Sequence, residues 1–216
     1  MPPWHASTGI QEIAATATLW AAWRAVRRKR GGPGADGVTL EAFAAQAEAQ
    51  LHHLRHALLR GTYRLGGLKR VALAKRDGRT RHISIPNVRD RVVQQAILHV
   101  WGPRFEPLFC DCNYGFRPGR SAHQAVQVIA RKLQDGARWI VEADVTDFFE
   151  HINTSRLFKI LKAHLSDREL LRVLRAILDV ETVVAERLGV WQSVTSRGIL
   201  QGGVLSALFA NLFGSI

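Results

Sequence analysis

Sulfur, acid and long apolar runs are all scarce in this sequence. Its only cysteines are Cys110 and Cys112. One intervening residue is tight for a disulfide, and no Cys/His set accompanies them for zinc. They read as reduced thiols of a cytoplasmic protein. No apolar run reaches the roughly 18 residues that a spanning helix needs, so no membrane partner is expected. The start, MPPWHASTGIQEIAATATLW, lacks a basic stretch followed by an apolar one, so no secretory signal is read. No internal repeat or low-complexity segment occurs, and no two aspartates are adjacent. Acids number 18 against 30 Lys+Arg, for a net charge of +12 and a pI near 10.9. Residues 60–105 hold eleven Lys/Arg and two acids. Such a surface attracts polyanions and releases counterions on binding. Nucleic acid is the first candidate ligand; a solvated basic face is the bland alternative.

The chain mixes helical and strand patterns without regular βαβ alternation, which predicts an α+β fold. Residues 11–30 read as a helix ending in the basic run RAVRRKR, which GGPGADG (31–37) terminates. Thr39 is placed to cap a second helix over about 40–60. VALAKRDGRTRHISIP (71–86) has two β-leaning segments around an Asp-Gly turn, a hairpin pattern. Asn87 is placed to cap the next helix. SAHQ (121–124) is a capping box opening a helix with Ala125, Val126, Ile129 and Leu133. WIVEADV (139–145) alternates like a strand, with Glu142 and Asp144 on one face. SDRE (166–169) opens another helix, 180–197 reads as a hairpin, and VLSALFANLF follows QGG as an apolar helix.

VEADVTDFFEHIN (141–153) gathers Glu142, Asp144, Asp147 and Glu150 with no Lys or Arg. Two readings fit. Asp147 and Glu150 have capping-box spacing and would start a helix. Asp144, on a strand that reads as buried, would be costly unpaired and is placed to hold a divalent cation. Mg²⁺ takes one or two carboxylates and leaves other positions to water and phosphate.

Five blocks then follow in order: GPGADGVTLEAF, AKRDGRTRHISIPNVRDRVVQQAI, YGFRPGRSAHQAV, VEADVTDFFEHIN and GILQGGVLSALFANLF. The succession closely resembles the reverse transcriptases of group II introns, the maturase-type enzymes, from about residue 31 onward. The resemblance implies a right-hand polymerase with fingers and an incomplete palm. It divides the chain into an N-terminal helical extension (1–60), fingers (61–138) and partial palm (139–216). The implied activity is RNA-directed DNA synthesis. Its partners would be intron or template RNA, a DNA primer and deoxynucleoside triphosphates.

Residue by residue, Lys75 and Arg81 match the hairpin's triphosphate-binding basics, and charges from facing strands can converge on phosphate oxygens. Asp144 matches the first catalytic aspartate, a ligand of both ions of a two-Mg²⁺ site, with the Val145 carbonyl as a further ligand. Phe149 matches the steric gate that excludes a 2′-hydroxyl. Gln201 matches the glutamine that contacts the nucleotide sugar. Arg117 and Arg120 would meet phosphates, and Arg27, Arg28, Lys29 and Arg30 would touch RNA. The sequence departs from the family at Ile199-Leu200, where Thr-Pro is usual, and at Ala207, where proline is usual. The family's Tyr-Ala-Asp-Asp block and thumb do not appear before Ile216. The expectation is a truncated chain, inactive alone. The alternatives are a non-catalytic RNA-binding module and a fragment of a defence-associated reverse transcriptase. A solvent-exposed final apolar helix is also expected.

Overall fold

The computed structural model describes residues 9–74, 78, 80–179, 182–185, 191–194 and 198–215, with the backbone alone for 81, 182–185 and 191–194. The N-terminal helical segment divides into α1 (Ile10–Ile13) and α2 (Thr16–Arg28), because Ala15 is extended. Leu19, Ala22, Trp23 and Val26 recur at helical spacing and form the buried stripe of α2. That stripe packs on α5 (Val88–Phe105), the central helix. Thr39 caps α3 (Leu40–Ala45) by accepting from the Ala42 N–H, and α4 (Ala47–Leu59) follows after Gln46 leaves helical geometry.

α5 has no single apolar stripe. Val88, Val92, Val93, Ala96 and Ile97 are buried, and so are Asp90, Arg91, Gln94 and Gln95. Each buried polar residue anchors a different segment. Asp90 accepts from the Tyr63 hydroxyl at 2.6 Å and the Gly66 N–H at 3.1 Å. Arg91 donates to the Gly32 carbonyl at 2.7 Å. Gln94 accepts from the Val204 N–H, and Gln95 from the Lys29 ammonium. Burial without such partners would cost about 1–3 kcal/mol per group. Asn87 occupies the N-cap position of α5 but makes no capping bond; its side chain accepts from the Asp36 N–H instead. The helix start was legible, but the side chain serves the glycine-rich loop.

Both expected hairpins form, and they join into one sheet of order β2-β1-β3-β4. β1 (Leu68–Ala74) pairs antiparallel with β2 (Thr80–Ile85), from Lys69↔Ile85 to Ala74↔Thr80. β3 (Thr182–Ala185) lies parallel to β1 and antiparallel to β4 (Trp191–Val194).

α6 (Ala122–Gln134) begins at the expected Ser121–Gln124 capping box. Three further helices follow: α7 (Phe148–His151), α8 (Thr154–His164) and α9 (Arg168–Leu178). Asp167 caps α9 through the Leu170 N–H and holds α1 through the Ile10 N–H. α10 (Ser206–Gly214) buries Leu208, Phe209 and Leu212 among these helices, so the final apolar helix is packed, not exposed.

The exposed apolar surface lies elsewhere. None of α6 is buried, and Val126, Ile129 and Leu133 face water. Residues 137–145 are not a strand: Trp139 is 91% exposed and Val141 90%. Alternation gives a segment two faces, but a strand also needs a neighbour to complete its ladder. No described strand lies beside this one. The cysteine expectation fails too. The turn closed by Asn113 N–H to the Cys110 carbonyl brings the Cα atoms of Cys110 and Cys112 to 5.3 Å, and the two are paired as a disulfide.

Candidate nucleotide and nucleic-acid site

Asp144 lies on the extended segment before α7, exposed to solvent. The expected burial is absent because the strand that would bury it is absent. Glu142 and Val145 are also exposed. Asp147 begins α7 in the left-handed region, φ 49°, ψ 42°, which aspartate tolerates better than most residues. Its carbonyl accepts from the Glu150 and His151 N–H groups, while its side chain makes no capping bond. The capping box expected at Asp147–Glu150 therefore does not form. The left-handed turn aims the chain into the helix without it.

Phe148 and Phe149 are half-buried against the core, their rings edge to face at 6.0 Å. The Phe149 carbonyl accepts from the Ile199 N–H at 2.9 Å. Gly198 makes this approach with φ +74°; a Cβ there would sit 2.2 Å from the Phe149 oxygen. Two residues further, the Gln201 carbonyl accepts from the Ser84 N–H of β2 at 3.1 Å. Gly202, at φ +99°, lies so close to β2 that a Cβ would meet Ile83 at 2.7 Å. Gly202 is thus required by close packing on the hairpin, whereas a Cβ at Gly203 would meet the Ser206 hydroxyl at 2.6 Å. The Ser206 hydroxyl closes the turn onto the Leu200 carbonyl at 2.6 Å. Segment 198–206 consequently ties the start of α7 to the base of the β1–β2 hairpin.

The Leu73↔Arg81 pairing puts Arg81 near the hairpin tip. Its side chain and all of Lys75 lie outside the described residues. Arg27, Arg28, Lys29 and Arg30 are exposed at the end of α2, where cations favour the helix dipole. Lys29 and Arg28 also approach His99, whose proton affinity is lowered first by burial and then by these charges. Arg117 is placed differently from the phosphate contact expected of it. It is buried, donating to Glu106 at 2.8 Å and to the carbonyls of Cys110 and Asn113, and it stacks over Phe109. Arg120 is half-buried over Tyr114 and donates to Asp111.

Sequence reasoning missed the anchoring residues of α5. The available signal was the interleaving of polar and apolar residues in NVRDRVVQQAILHVW, which leaves no solvent face. It also missed a cleft of about 530 Å³ between α5, α10 and the 116–118 turn, lined by Leu98, His99, Phe116, Val204 and Asn211.

The family described as reverse transcriptase (RNA-dependent DNA polymerase) matches residues 73–215. The chain belongs to the reverse transcriptase family. Among curated relatives, this reverse transcriptase chain is 33% identical to protein YkfC of Escherichia coli (strain K12) over 184 residues, 83% of this chain and 47% of that protein. It is 30% identical to the group II intron-encoded protein LtrA of Lactococcus lactis subsp. cremoris over 184 residues, 84% of this chain and 30% of LtrA. It therefore spans less than half the length of these two relatives. Among solved structures, a chain of a partial Cas6-RT-Cas1–Cas2 complex aligns with a TM-score of 0.61 at 21% identity, covering 95% of this chain and 34% of that one. That likeness is one of fold. The family shown is the one that the five ordered blocks indicate.

The expected metal donors, the Asp144 carboxylate and the Val145 carbonyl, are hard oxygens of the kind Mg²⁺ prefers. They do not make a two-ion centre: among the described residues no group of three potential ligands forms. No described helix is long and apolar enough to cross a membrane.

Proposed function

We propose that this chain supplies the fingers and the first catalytic carboxylate of an RNA-directed DNA polymerase of group II intron type. The observation that carries this reading is the link from Phe149 through Ile199 and Gln201 to Ser84. It holds the candidate sugar gate, the candidate sugar-contacting glutamine and the base of the basic hairpin on one continuous scaffold. A nucleotide lying along it would meet Phe149 beneath the sugar, Gln201 at its edge, and Lys75 and Arg81 toward its triphosphate. Arg27, Arg28, Lys29, Arg30 and Arg120 would meet RNA phosphates. Arg117 would act by holding the loop that carries Arg120. Asp144 would be the first metal ligand. A partly formed metal site does not polymerise, so these 216 residues alone are expected to bind substrates without extending a primer.

The test is equilibrium binding of an RNA–DNA primer–template, then of labelled nucleotides. RNA affinity should fall steeply with salt, and Phe149→Val should raise ribonucleotide binding relative to deoxynucleotide binding. Salt-independent RNA binding, or unchanged sugar discrimination in Phe149→Val, would refute the proposal. Robust primer extension that Asp144→Ala abolishes would refute the expected inactivity.

A further inference from the structure

A pair of ligating groups lies outside the candidate site, in the helical N-terminal region. His52 and His56 are one turn apart on α4, and their Nε2 atoms stand 3.1 Å apart. The rings are tilted by 59° with centroids 4.4 Å apart. We propose that this pair is a chelating site for a divalent transition cation of the zinc, nickel and copper class.

The geometry can be checked against bond lengths. Zinc–imidazole bonds are about 2.0–2.1 Å, so two of them meeting between right and tetrahedral angles put the nitrogens about 2.9–3.4 Å apart. At the observed 3.1 Å the two nitrogens share a hydrogen bond; the separation falls inside that window, so a cation that displaces the shared proton can be reached by both rings through side-chain rotation. Imidazole nitrogen selects this class over Mg²⁺, which prefers oxygen.

Arg55 and Arg60 lie close to the pair and repel a metal, so binding should be moderate. The pair lines a groove with Trp20, Glu48 and His53. Water completes the shell.

The experiment is calorimetric titration of the intact chain with Zn²⁺ alone, in a non-coordinating buffer, with Mg²⁺ as competitor. One saturable site is expected, indifferent to Mg²⁺. Loss of an outer-shell partner already costs about 10–100-fold in affinity, so His52→Ala and His56→Ala should each lose at least that much. His53→Ala and the double variant Cys110→Ser/Cys112→Ser should retain the site. The proposal is overturned if either His52→Ala or His56→Ala keeps the parent affinity. It is equally overturned if the cysteine variant loses binding, or if no saturable uptake occurs. All three histidines are exposed or half-buried on one helix, so these variants leave the core intact.

Discussion

α2 and α6 carry the same kind of pattern and meet different fates. The α2 stripe of Leu19, Ala22, Trp23 and Val26 is buried on α5. The α6 stripe of Val126, Ile129 and Leu133 faces water, and the segment after it, which carries Asp144, is equally open. Helical periodicity states which face would gain from burial; it does not state that a cover is present. α1, α2, α4 and α10 pack on α5, whose polar side chains fasten three loops. The Asp144 segment has no such fastening. The α5-centred half, with the 198–206 turn, is therefore the more firmly held half of the proposed site.

The sharpest way to break this contrast is a pair of matched truncations. Leu170 is 0% exposed in α9, and Leu170→Ala should cost about 2–5 kcal/mol in denaturant unfolding. Leu133→Ala in α6 should stay within about 0.5 kcal/mol. Similar losses would mean that α6 is packed.

Tyr63→Phe probes the α5 anchors. Burial raises the proton affinity of Asp90, and the Tyr63 hydroxyl, Arg89 and the Gly66 N–H pull it back. With the folded value above the unfolded one, the native state binds the extra proton between them. Stability from this group is therefore greatest below the ordinary carboxylate range and falls as pH rises through the raised value. Removing the hydroxyl raises Asp90 further and leaves its ionised form short of a donor. The loss should be about 1–3 kcal/mol near neutrality and smaller near pH 4. An equal loss at both pH values would contradict the assignment.

The smallest effect is expected at Ser121→Ala, which removes a cap normally worth about 0.5–2 kcal/mol to its helix. Because α6 is not packed, the change should lower helical content there and leave the global melting temperature unmoved. A shifted global transition would join α6 to the cooperative core.

Much of the fold was legible locally. Thr39, Ser121 and Asp167 cap where their spacing indicates, and Asp-Gly and 180–197 mark real hairpins, because these signals depend on a few neighbouring residues. Errors arose where the outcome depends on distant partners. WIVEADV has strand alternation without a neighbouring strand, Asn87 turns to the glycine-rich loop, and VLSALFANLF finds cover among α5 and α8. At the site, QGG was recognised by its order among the blocks. The bond of Gln201 to Ser84, and that of the preceding Ile199 to Phe149, join residues far apart in the chain, which no local pattern contains. Arg117 in YGFRPGR reads as a phosphate contact because Glu106 and the carbonyls that hold it are visible only once the loop is folded.

Hydrogen exchange resolved by peptide tests the contrast most directly. A helix the length of α6 is marginal without tertiary packing. Amides of 122–147 should exchange at close to free-chain rates, while those of α5 and α9 are protected up to the global unfolding free energy. Strong protection across 139–145, as in a paired strand, would contradict an unfastened Asp144 segment.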